Sequence, residues 1–137
     1  MQLIGKIPNK TAYEKALYTN QQKMFQRKYH EALQVSLKMI NDYPQDYYFN
    51  MMASHEYKSL FMPEQSIAIL SQLEDPIRSD LGLMWHYFKT RNVAESYIML
   101  DKNEEALKNL NSIPQEFQNR AIPVMLVNIF MKLGKSK

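Results

Sequence analysis

The chain has 137 residues, 45% of them apolar and 12% aromatic, so it is long enough for one domain with a sizeable core and too apolar to stay disordered. It has no cysteine, which excludes disulfides and thiol chemistry within the chain, and only three glycines (Gly5, Gly82, Gly134), which is poor in the turn and bulge residues that sheets need. The net charge of +3 is modest, and its basic clusters (Lys23, Arg27, Lys28; Lys89, Arg91; Lys132, Lys135, Lys137) read as solvated helix ends, so no nucleic-acid partner is expected.

Residues Met1 to Lys10 contain no apolar core of signal-peptide length. The longest apolar run, Ala121 to Met131, is interrupted by Asn128 and too short to span a bilayer. A cytoplasmic protein without membrane association is the expectation. Beyond this point the chain reads as helix after helix. Thr11 and Glu14 match a capping box, Ser/Thr-x-x-Glu, and open a helix running to about Gln26. Arg27-Lys28 makes a turn. Tyr29, Ala32, Leu33, Ser36, Leu37 and Ile40 then recur at the spacing of one helical face, and Pro44 ends that helix by disfavouring helical geometry at Tyr43.

Asp46 is placed to cap the next helix, with Phe49, Met52, Ala53, Tyr57 and Leu60 on one face. Phe61-Met62-Pro63 makes a second turn, and Pro63 suits the first position of a helix whose stripe is Ile67, Leu70 and Leu73. From Ile77 to Leu100 the only breaker is Gly82. A lone glycine costs about 1 kcal/mol in a helix, so one continuous helix is predicted, the longest in the chain. Asp101-Lys102-Asn103 is the third turn, followed by the stripe Ala106, Leu107, Leu110 and Ile113, closed by Pro114. Leu126, Val127, Phe130, Met131 and Leu133 predict a last helix, with Pro123 in its first turn and Gly134 as its stop.

The segments repeat. Ala32, Ser66 and Ala106 each place a small residue at the same point of the second helix of a pair, 34 and then 40 residues apart. These small positions predict close helix–helix approach, with burial of Ala32 and Ala106 where paired helices cross. Ser54-x2-Tyr57 and Ala94-x2-Tyr97 add a small–aromatic pair in the first helices, and Val127-x2-Phe130 fits more loosely. Together these residues resemble the tetratricopeptide repeat, a helix–turn–helix unit of about 34 residues. Leu70 and Leu110 stand where the family pattern has an aromatic, and Ala16, Asn50 and Thr90 stand where it has Trp. Asn20 and Lys23 replace the small residue and Tyr of the first unit. Pro76 and Pro114 fall two and four residues early, so the second helices of units two and three should be short.

The resemblance implies an all-α fold: a right-handed α-solenoid of about three helix–turn–helix pairs plus a final helix. It would form one domain over 1–137, with units at about 11–45, 46–75 and 76–114 and a terminal helix over 115–134. That unmatched last helix fits either a cap on the array or a chain cut from a longer protein, because terminal repeats normally need a polar outer face.

Catalytic and metal-binding patterns are missing. His30-Glu31 and His55-Glu56 start like H-E-x-x-H, but Gln34 and Ser59 occupy the place of the second histidine. No two glycines are close enough for a phosphate loop, and no nucleophile–base order stands out. The expectation is a protein that is not an enzyme and needs no cofactor. The ten methionines read mainly as core filler, Met39, Met52 and Met131 by their spacing, with Met24 and Met51 the better candidates for exposure.

In the repeat family, the first helices line a concave groove that holds a partner peptide. By alignment the groove here would show Leu17 and Gln21 from unit one. The candidate partner-binding residues are Tyr48, Met51, His55 and Lys58 from unit two and Phe88, Arg91 and Glu95 from unit three. The residues that clamp a terminal carboxylate in some members are replaced by Leu17, Gln21, Met52, Phe88 and Asn92, so that mode is not expected. The mixed aromatic, thioether and charged surface suits an extended or helical protein segment. Two other readings stand beside it: a regulatory or sensory segment of a larger signalling or transcription protein, and a structural domain that forms homo-oligomers through the final helix. Tyr48 and Phe88 also fit a plainer role, packing between repeats.

Overall fold

A computed structural model describes the backbone over residues 10–74 and 80–112, and side chains over 11–74 and 86–112. The described residues form six α-helices and no strand: α1 (Lys10–Phe25), α2 (Tyr29–Asp42), α3 (Tyr47–Ser59), α4 (Pro63–Ser71), α5 (Asp80–Met99) and α6 (Asn103–Asn111). The all-α class is therefore correct. The predicted last helix over 115–134, the start of the third unit at Pro76 and Ile77, and the side chain of Trp85 lie outside the described residues.

Local chemistry sets most helix ends. Asp46 caps α3 through its side chain, which accepts the Phe49 backbone N–H at 2.9 Å. Pro63 occupies the first turn of α4, where a missing N–H is harmless. The helix α5 runs unbroken through Gly82 for 20 residues, the longest among those described. The helices α4 and α6 have 9 residues each against 14 in α2, the shortening that the early prolines announced. One boundary differs from expectation. Lys10 is already helical, so Thr11 lies within α1 and is not its cap.

The three turns within pairs share one geometry. Arg27, Phe61 and Asp101 all have left-handed backbones, with φ of 59°, 58° and 59°. At each turn the next residue's N–H returns five positions to the helix: Lys28 to Lys23, Met62 to Tyr57 and Lys102 to Tyr97, each at 2.8 Å. This is the hydrogen-bond closure of a Schellman turn, which satisfies carbonyls that a helix end leaves open. The three turns are 34 and 40 residues apart, so the period seen in side chains is also a period in backbone conformation.

Successive helices pack antiparallel, and first helices also touch each other. Ser36 of α2 meets Glu56 of α3, and Ser54 of α3 meets Ser66 of α4, which meets Ser96 of α5. Tyr13 at the start of α1 reaches Asp46 at the start of α3, while Asn20 further along α1 reaches Glu56 further along α3. Hence α1 and α3 run parallel, and α3 also contacts α5. Ala32, Ser66 and Ala106 are fully buried at the crossings, as the spacing predicts.

Apolar packing lies between the pairs and, in the third, within the pair. Phe49 is fully buried, with Tyr13 edge-on at 5.3 Å and Tyr48 edge-on at 5.2 Å. Burial of one such ring contributes about 1.5–3 kcal/mol. Leu70, Leu73 and Val93 form a second cluster, and Tyr87, Ala94, Ala106 and Leu110 a third.

Candidate functional site

The candidate residues all come from α3 and α5, and the packing of these two helices brings the charged ones together. Lys58 lies near the end of α3. Its ammonium donates to Glu95 Oε2 at 2.6 Å and to Asn92 Oδ1 at 2.5 Å, both on α5. Arg91, one turn before Glu95, donates from Nε to Glu95 Oε1 at 3.1 Å. Glu95 is thus held by a cation at each oxygen. Two cations share one carboxylate, so the cluster keeps a net positive charge.

Lys58 is not the free groove cation that its sequence position suggested. Its side chain is only 8% exposed, against 35% for Glu95 and 36% for Arg91. The lysine stem is buried against α5 while its charge is neutralised, a common way to hold a long cationic side chain at a helix junction. Arg91 is different. It spends Nε on Glu95, and its terminal nitrogens take no partner among the described residues. His55 is exposed one turn before Lys58. Partial burial of its imidazole lowers its pKa, the Lys58 charge lowers it further, and Glu95 acts in the opposite direction. His55 is therefore a neutral ring at pH 7, able to donate and accept one hydrogen bond each.

The aromatic candidates divide. Tyr48 is half-buried against Phe49, and its hydroxyl accepts from Gln21 Nε2 at 3.4 Å, which joins the α1 and α3 parts of the face. Leu17 packs into the same cluster as Tyr48. Phe88 is 36% exposed, with its ring 5.3 Å from Tyr87. Met51 corrects an expectation. It is half-buried against the cluster of Leu70, Leu73 and Val93, so its thioether fills space between pairs; Met24 is half-buried too. A residue off one helix's main stripe can still face the neighbouring pair, which a single-helix pattern does not reveal.

Two polar groups escaped the sequence reading. Glu56 and Asn20 are fully buried and bonded to each other, with Oε2 and Nδ2 at 2.8 Å. One signal was available: Glu56 and Ser96 are 40 residues apart, in the same repeat register, and each bonds a serine on the preceding second helix, Ser36 and Ser66 respectively. The junctions between pairs are therefore polar at one position that the apolar periodicity passes over.

Among the described residues no group of three or more His, Asp or Glu side chains could hold a metal ion. An open hollow of about 360 Å³ between α5 and α6 is lined by Tyr97, Glu105, Lys108, Asn109 and Ser112, with no convergent catalytic set. Among the described residues no helix is long and apolar enough to cross a membrane. No protein-family model matches the chain. No curated protein matches it either.

Proposed function

We propose that this chain is a non-catalytic, cytoplasmic interaction module, a right-handed solenoid of tetratricopeptide-like pairs that binds a protein or peptide segment across α1, α3 and α5. The carrying observation is the shared left-handed turn at Arg27, Phe61 and Asp101, repeated with the same hydrogen bonds at the sequence period. Identical turns set identical helix-hairpin geometry, and stacked hairpins of one geometry generate a continuous face from their first helices. Contacts of α3 with α5, and of Tyr13 and Asn20 with α3, support the same arrangement.

On that face Tyr48 and Phe88 offer aromatic surface, His55 a neutral hydrogen-bonding ring, and Arg91 a guanidinium already oriented by Glu95. Tyr and Arg dominate binding hot spots because each combines large contact area with directional polar groups. Lys58 and Glu95 position Arg91, and Met51 supports the floor.

The test is selection from a displayed peptide library, followed by affinity measurement on the enriched sequences. Tyr48→Ala with Arg91→Ala should abolish binding while the far-UV circular dichroism stays that of the parent. Unchanged affinity in this double variant would remove the groove reading. Sizing the parent protein at high concentration checks self-association in the same preparation.

A further inference from the structure

The junction between the first two helix pairs is built around a carboxyl group with no cation. Glu56 is fully buried in α3. Its Oε1 faces Ser36 Oγ of α2 at 2.7 Å, and its Oε2 faces Asn20 Nδ2 of α1 at 2.8 Å. The same Asn20 nitrogen lies 2.9 Å from Ser36 Oγ and 3.0 Å from the Ala32 carbonyl oxygen. Three helices meet at these four contacts.

Hydrogens are in short supply in this cluster. Asn20 Nδ2 brings two hydrogens and Ser36 brings one, so four short contacts share three hydrogens. The Asn20 Oδ1 is buried without a partner, so it relieves none of the shortage. The shortage sits at the Asn20 amide, whose two hydrogens face three acceptors, so Glu56 is offered at most two neutral donors, Asn20 and Ser36.

We propose that Glu56 is a proton-operated latch between the first and second helix pairs, closed when its carboxyl is neutral and loosened when it ionises. An ionised carboxylate buried with only two neutral donors is costly, because desolvation is repaid neither by a cation nor by a full set of hydrogen bonds. No charge on the surrounding helices compensates it. The ionisable groups nearest in sequence on α1 and α2 are Lys23, His30, Glu31 and Lys38; His30 and Lys38 are exposed, and Lys23 and Glu31 are bonded to each other at 3.3 Å. On α3, Lys58 is committed to α5 and His55 points to solvent. The groups acting on Glu56 are Ser36 and Asn20, neither of which ionises, and burial outweighs both, raising the Glu56 pKa from 4.5 to about 7.

The sign of the linkage follows. The folded-state pKa lies above the unfolded value, so the stabilisation is complete below pH 4.5 and is lost as pH rises to about 7. Over that window the folding equilibrium constant should fall on the order of a few hundredfold from this group alone. The inference does not rest on the groove reading, since it concerns a junction and not a ligand.

The experiment is titration of the Glu56 side-chain carboxyl carbon by NMR in the intact chain, paired with urea unfolding of the parent and of Glu56→Gln from pH 4.5 to 8. The expected result is a midpoint near 7 for Glu56. With it, the parent's folding equilibrium constant should fall over the window, and Glu56→Gln should lack the part of that fall due to Glu56. Amide exchange corrected for intrinsic rate should show α1 losing protection relative to α5 as Glu56 ionises. A midpoint near 4.5 overturns the proposal even if Glu56→Gln does not fold. So does equal pH dependence in the two proteins, or α1 protection that does not change through the titration.

Discussion

Phe61→Gly should make the protein more stable although it deletes an aromatic ring. Phe61 sits at φ 58°, where an L-residue crowds its Cβ against the following carbonyl, and its ring is 85% exposed. The left-handed conformation costs a non-glycine residue roughly 1–2 kcal/mol, and glycine avoids that cost. Against this, glycine gives the unfolded chain more freedom, worth roughly 0.5–1 kcal/mol. An exposed ring has little packing to lose, so the net gain is about 0.5–1 kcal/mol. Phe61→Ala is the control, because it removes the ring and keeps the Cβ; it should stay within about 0.5 kcal/mol of the parent. Urea unfolding followed by circular dichroism reads the difference as a raised midpoint at constant slope. If Phe61→Gly is no more stable than Phe61→Ala, the backbone cost assigned to this turn is wrong. Arg27→Gly should shift in the same direction. Asp101→Gly should gain less, because the Asp101 carboxylate accepts from Asn103 Nδ2 at 3.1 Å and that bond is lost.

Ala106→Leu should destabilise by about 1–3 kcal/mol in the same unfolding assay, since Ala106 is fully buried where α5 and α6 cross and the larger side chain overpacks the contact. Lys58→Ala should cost about 1–3 kcal/mol, because it strips one cation from Glu95 and leaves Asn92 Oδ1 without its donor; half the penalty of a deep ion pair is expected since Glu95 keeps 35% exposure. Lys58→Met, which keeps the buried stem, should recover part of that loss, and equal losses in the two variants would show that charge pairing and not packing decides.

The features that follow from a few adjacent residues were legible in the sequence. Pro63 can only begin a helix cleanly, Asp46 offers its carboxylate to an amide three residues on, and a small residue such as Ala32, Ser66 or Ala106 marks where two backbones approach. The turn positions at Arg27-Lys28, Phe61-Met62 and Asp101-Lys102 were found for the same reason, although their left-handed geometry was not, because no glycine marks it. The site was less legible. His55 and Arg91 lie at the surface as aligned, but Lys58 is buried and paired, and Met51 turns into the space between helix pairs. Their fate depends on α5, more than 30 positions away, and no local pattern carries that information.

The sequence by itself determined the helices, their pairing and their period, because helix starts, stops and close crossings are encoded within one or two turns of chain. Tertiary structure alone decided which polar side chains became interior. Asn20, Ser36 and Glu56 belong to three different helices, and only stacking the pairs removes them from water together. Burial is a property of what surrounds a group, so the raised pKa of Glu56 and the neutralised charge of Lys58 come into being only when the neighbouring pair is in place.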